Sequence, residues 1–179
     1  MSEPGLLALP QLQSRILIGG FAALVLTLSA AIWAMAQPVV PATTVIDAMK
    51  LAAQLLLIPG LCLLAGVQFA ASWRFGHRDD NAGSPETASQ LLDIALRYNR
   101  NTLEQGFLAA TAWLGLAASH PERALVVLPV LAALFGFGRI TFWLGYAMAP
   151  WARSFGFVLT HMPTAAVLLV LAAGMVISW

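Results

Sequence analysis

Between Ile16 and Ala36 the chain runs for about 21 residues without a charged side chain, about the length an α-helix needs to cross a bilayer core roughly 30 Å thick. Four more apolar segments follow, separated by short polar or proline-containing breaks. So many uncharged runs cannot all be buried in one soluble core of 179 residues. Charged residues make up only 9% of the chain and hydrophobic ones 60%, whereas a soluble domain carries about 25% charged residues. A lipid-facing surface needs no charge, so the expected class is an all-α integral membrane protein. The net charge of +1 gives no basic surface for nucleic acid.

The first segment, about 15–36, is long for the apolar part of a cleavable signal and is expected to stay as a membrane helix. It sits in an N-terminal segment, 1–44. The rest, 45–179, divides into helices at about 45–73, 85–118, 123–148 and 151–178. Ser84-Pro85-Glu86 reads as the start of the 85–118 helix: a Ser cap, Pro at the first helical position and Glu in the first turn. That helix would have about 34 residues and be about 51 Å long, so part of it must project beyond the bilayer core. Pro59, Pro129 and Pro163 fall inside spans, where neighbouring helices can satisfy freed carbonyls.

Loop charges set the orientation. One side carries Arg15, Arg74, Arg78 and Arg153, the other Lys50 and Arg123. The N-terminus is therefore expected to be cytoplasmic and Trp179 to lie on the opposite face, with a bacterial inner membrane as the expected location.

The third apolar segment carries Asp93, Arg97, Arg100, Asn101 and Glu104. On a helix these share one stripe about 100° wide, which must face protein or a wet cavity rather than lipid. The next segment places Arg139, Phe142 and Tyr146 on one face. The last begins with Arg153 and Ser154, a guanidinium and a hydroxyl at a helix N-terminus, suited to an anion or a thiolate. Arginines outnumber carboxylates in this set, which implies an anionic ligand or lipid head group.

The patterns Arg97-x-x-x-Asn101-x-x-Glu104 and Arg139-x-x-Phe142-x-x-x-Tyr146-x6-Arg153-Ser154 resemble the MAPEG family, the membrane-associated proteins of eicosanoid and glutathione metabolism. The resemblance covers roughly residues 47–178. It implies a four-helix bundle assembled as a homotrimer, with glutathione as co-substrate bound between subunits near the cytoplasmic side. Arg97, Asn101 and Glu104 would hold the tripeptide's polar ends, with Arg100 nearby and Arg74 from the neighbouring subunit. Arg139 and Tyr146 would line the pocket, and Arg153 with Ser154 would sit at the sulfur. The implied activity is a glutathione-dependent transferase or peroxidase working on a lipophilic small molecule drawn from the membrane lipids. The alternative is a non-catalytic trimer that binds an anionic lipid or another small anion in the same pocket. Phe142 and Phe157 stand where the family often has hydrogen-bonding residues, and the helix at 15–36 is additional to the family's four.

The remaining residues of note have structural readings. Cys62 is expected to be a small buried hydrophobe. His77, His120 and His161 are too scattered for a zinc site, and His161 is expected to make a buried hydrogen bond. Gly60, Gly66 and Gly115 are expected to permit close helix packing. Trp33, Trp73, Trp151 and Trp179 are expected near the membrane interface. Asp79-Asp80 is expected to be a solvated loop.

Overall fold

The computed structural model describes residues 9–41, 43–81, 89–149 and 151–177. They form seven helices and, among the described residues, no strand: α1 (Leu9–Ala36), α2 (Val45–Leu55), α3 (Leu57–Gly76), α4 (Arg78–Asn81), α5 (Gln90–Ser119), α6 (Pro121–Met148) and α7 (Arg153–Ile177). Four stretches are long and apolar enough to cross a membrane: Leu9–Ala36, Val45–Gly76, Pro121–Met148 and Arg153–Ile177. The chain is thus an α-helical, multi-pass membrane protein.

The third expected span, α5, does not meet that criterion because its charges dilute its apolar length. It lies instead at the centre of the bundle, packed by α2, α3, α6 and α7. Protein rather than lipid therefore covers much of its surface. The expected start at Ser84-Pro85-Glu86 lies outside the described residues. The capped start is at Ser89, whose backbone is extended and whose hydroxyl accepts from the Leu92 N–H. At about 1.5 Å per residue, α5 is about 45 Å long, still longer than the bilayer core.

The expected 45–73 helix is divided at Leu56. Pro59 has no N–H for the Leu55 carbonyl and its ring crowds that turn, so α2 ends and α3 restarts one residue later. Pro129 and Pro163 lie within α6 and α7 without dividing them. α1 begins at Leu9, before the apolar run. Pro10 is tolerated there because first-turn N–H groups have no partner inside the helix.

The core lies between α2, α5 and α6. Trp113 and Phe135 meet edge to face at 6.2 Å, and Ala48, Ala52, Ala109 and Ala112 keep the neighbouring helices close. α1 packs on the outside against α7 and α6. It is tied at both ends. The Arg15 guanidinium lies 5.0 Å over the Trp151 ring, and Arg123 donates to the Gln37 carbonyl at 3.1 Å.

The aspartates just after α3 are not equally solvated. Asp80 is not solvated but buried. Its carboxylate accepts from the Trp73 indole at 2.8 Å, the Ser89 N–H at 2.7 Å and the Ser89 hydroxyl at 2.7 Å. These bonds, led by those from Ser89, hold the carboxyl below its ordinary range. The clasp ties the end of α3 to the start of α5.

Candidate functional site

The site is built where α6 crosses α7. An ideal Cβ on Gly138 would lie 2.6 Å from the Thr160 methyl, and one on Gly145 2.6 Å from the Arg153 nitrogen. A Cβ on Gly156 would press on the Gly138 carbonyl and the Phe142 backbone. Only glycine lets the two backbones approach this closely. None of the three stands out in the sequence. Of the glycines expected to mediate packing, Gly66 and Gly115 abut Asn99 and Leu171, whereas Gly60 has open space around it.

The close crossing brings Arg139 of α6 against α7. Arg139 is fully buried, about 14 Å before the end of its helix. It donates to Asn101 Oδ1 at 2.7 Å and Thr160 Oγ1 at 2.6 Å, and its guanidinium lies 4.5 Å from the Phe142 ring centre. Charge-assisted bonds of this kind contribute about 1.5–3 kcal/mol each. Among the described residues no carboxylate lies within ion-pair distance of it.

Arg153 opens α7. It donates to the Tyr146 hydroxyl, and its guanidinium lies 4.6 Å from the same ring centre. Beside it is a cavity of about 360 Å³ lined by Asn101, Phe142, Tyr146, Arg153, Ser154 and Phe157, with Trp151 and Ile16 at its edges. No carboxylate is among the lining residues. The Ser154 hydroxyl is buried and has no hydrogen-bond partner.

The expected α5 stripe divides. Asn101 turns inward to Arg139 and the cavity. Asp93 pairs with Arg97 at 2.8 Å and Arg100 with Glu104 at 3.3 Å, all on the exposed face of the isolated subunit. Arg74 is exposed at the end of α3, away from the cavity. The fold therefore brings together Asn101, Arg139, Tyr146, Arg153 and Ser154, and leaves Arg74, Arg97, Arg100 and Glu104 on outer surfaces. Thr160, as the second acceptor for Arg139, and Ile16, as a cavity wall, carry no sequence signal. His161, expected to make a buried hydrogen bond, is half-buried; it contacts Gln105 at 3.4 Å and stacks on Phe157 at 5.2 Å.

Residues 48–173, more than half of the chain, match the MAPEG family. The chain belongs to that family. No curated protein and no solved structure matches it. Membership gives this MAPEG protein a membrane-bound, glutathione-related function at the family level. The match contains every polar residue of the cavity. It excludes α1, so one wall of the cavity comes from outside the family region.

Proposed function

We propose that this MAPEG protein is a glutathione-dependent transferase or peroxidase acting on lipophilic electrophiles, with Arg153 stabilising the glutathione thiolate. The observation that carries this reading is the make-up of the cavity: a guanidinium, two hydroxyls, an amide and aromatic walls, without a carboxylate among its lining residues. A thiol with a pKa of about 8.5 is mostly protonated at neutral pH, and an adjacent arginine favours its anion. The N-terminus of α7 adds the partial positive charge of its free N–H groups. Tyr146 holds the Arg153 guanidinium in place. The cavity volume is at the low end of the roughly 300–1,000 Å³ common for ligand pockets, in keeping with a site completed by another subunit.

In the transferase reaction the thiolate sulfur attacks an electrophilic carbon. A C–S bond forms, and the displaced electron pair goes to the leaving group or to the acceptor's oxygen, which then takes a proton from water. In the peroxidase reaction the sulfur attacks a hydroperoxide oxygen and the O–O bond breaks. The products are glutathione sulfenic acid and an alkoxide, which takes a proton from water, and a second glutathione converts the sulfenic acid to the disulfide with loss of water.

The outer residues fit a homotrimer. Arg97, Arg100 and Glu104 would bind the tripeptide's polar ends, and Arg74 would reach in from a neighbouring subunit. Leu96, Leu103 and Phe107 are exposed on the same helix as these charges, a mixture that suits a protein neighbour better than lipid or water. We place the Arg153 end and the N-terminus on the cytoplasmic side of a bacterial inner membrane, by the loop charges.

Glutathione is expected to raise the unfolding temperature of the detergent-solubilised protein. At a hundred times its Kd the stabilisation should be about 2.7 kcal/mol. Arg153→Ala should abolish the thiolate's ultraviolet absorbance while the trimer persists. The unpaired Arg139 and Arg153 also suit a non-catalytic protein holding an anionic lipid or another small anion. Mass spectrometry that finds a retained acidic lipid, with no effect of glutathione, would favour that function instead.

A further inference from the structure

We infer that the face of α1 turned away from the polar cavity is a phospholipid site, with an anionic headgroup seated on Arg15 and Trp151 and its acyl chains laid in the groove between α1 and α6. This goes beyond the glutathione reading and does not depend on it. A cavity of about 350 Å³ lies near the start of α1, lined by Arg15, Ile18 and Gly19 of that helix and by Trp151 and Phe155 around the start of α7. Arg15 is the one charged residue that lines it, and among the described residues no carboxylate lies within ion-pair distance of that guanidinium. A larger cavity, of about 740 Å³, opens further along, between Ala30, Trp33 and Gln37 of α1 and one side of α6 from Leu125 to Phe137. No charged residue lines it.

The two cavities share one face of α1. At about 100° per residue, Ile18, Gly19, Ala30, Trp33 and Gln37 all lie within about 60° of Arg15. Ile16, which walls the polar cavity, points about 100° away from it. The smaller cavity touches Trp151 and Ser154, as the polar one does, but Asn101, Tyr146 and Arg153 do not line it. Phe155 of the smaller cavity meets Phe137 of the larger edge to face at 6.2 Å, which links the two. Their polarity follows the order of a phospholipid. At the outer end the Arg15 guanidinium lies 5.0 Å over the Trp151 ring. Deeper in, the lining is Ile18, Phe155, Phe137 and Leu134. With this end on the cytoplasmic side, as proposed above from the loop charges, it meets the leaflet that carries anionic lipids, and basic pockets between membrane helices hold such headgroups. An acyl chain spans about 15 Å, half of the bilayer core, or about ten residues of α1. From Arg15 it would run past the phenylalanine pair into the larger cavity. Among its described residues α1 buries only Ala23, Thr27 and Ala34, so a lipid in this groove would strengthen its hold on the bundle.

The test uses the full chain, delipidated in detergent and titrated with phosphatidylglycerol or with phosphatidylcholine of the same chains, followed by native mass spectrometry. Phosphatidylglycerol should bind the wild type more tightly and raise its unfolding temperature. Arg15→Gln should weaken that binding about fivefold, the share of one basic residue near an anionic lipid surface, and Arg15→Lys should restore most of it. Ala133→Trp, which fills the apolar groove, should weaken both lipids alike. Equal binding of the two lipids by the wild type, or unchanged binding in Arg15→Gln, overturns the headgroup site; unchanged binding in Ala133→Trp overturns the groove. The wild type alone gives a second measurement. Phosphatidylglycerol with a photoreactive diazirine in its chain should label residues 18–30 and 130–137, and unlabelled phosphatidylglycerol should compete. Labelling that is not competed marks bulk lipid and overturns the inference. Saturating glutathione should leave the lipid in place, and Arg153→Ala should still bind it; loss in either case puts the lipid in the polar cavity and also overturns the inference. If the wild type binds no glutathione, the transferase reading fails, and the lipid titration still decides this site.

Discussion

Replacing Gly156 with alanine tests the α6–α7 crossing on which the site depends. The new methyl would lie 2.7 Å from Phe142 Cα, and closer still to the Gly138 carbonyl and the Phe142 nitrogen. Carbon atoms pack at about 3.5–4.0 Å, so the helices must separate by about 1 Å. These neighbours are backbone, which has no alternative rotamer to adopt. An added 1 Å takes the 2.6 Å bond from Arg139 to Thr160 beyond hydrogen-bonding range. Overpacking of this kind costs about 1–3 kcal/mol, and loss of the charge-assisted bond adds to it. For a chain of this size each kcal/mol lowers Tm by about 2–4 °C. Thermal unfolding in detergent should therefore show a fall of several degrees for Gly156→Ala, with weakened glutathione protection. Gly60→Ala is the control: it has open space around it, and alanine's helix propensity makes it neutral or more stable by up to about 1 kcal/mol. Equal stability of Gly156→Ala and wild type, or an equal loss in Gly60→Ala, would refute the backbone contact.

Two further predictions concern the polar groups. Asn101→Leu leaves the buried Arg139 without one of its acceptors and should cost about 1.5–3 kcal/mol in denaturant unfolding. Combining it with Arg139→Leu should give less than the sum of the single losses, by about 1–3 kcal/mol; strict additivity would show that the bond is not made. The Asp80 clasp should be pH-dependent, with its sign set by the lowered carboxyl. Its contribution is fully present above the unfolded value of about 3.9 and is lost as pH falls through the folded value. Trp73 fluorescence should report that transition in acid, and Asp80→Ala should abolish it; a tryptophan signal that is flat in the wild type would contradict the clasp.

The polar site was partly legible in the sequence. Arg139, Phe142 and Tyr146 share a helix face by spacing alone, and the structure sets Arg139 against Phe142 and Phe142 against Tyr146. Arg153 and Ser154 at a helix start were equally readable. The α5 stripe was less so. Helical periodicity gives the direction of a side chain about its own axis but not which neighbour covers it, and a turn of about 40° between Arg97 and Asn101 separates an exposed ion pair from a buried contact. Asp80 misled for a related reason: two adjacent aspartates in a polar loop look solvated, and only folding brings Trp73 and Ser89 to one of them.

The sequence by itself determined the solvent, the helical class and the family, because uncharged apolar length and motif spacing are local properties of the chain. Only the tertiary structure decided that α1 lies along α7 and walls the site, that Arg139 donates to Asn101 and Thr160, and that Gly138, Gly145 and Gly156 mark the critical crossing. Those facts depend on the distance between backbones of different helices. In a membrane that distance is set by van der Waals contact between small residues, and single-chain periodicity carries no record of which glycine faces which helix.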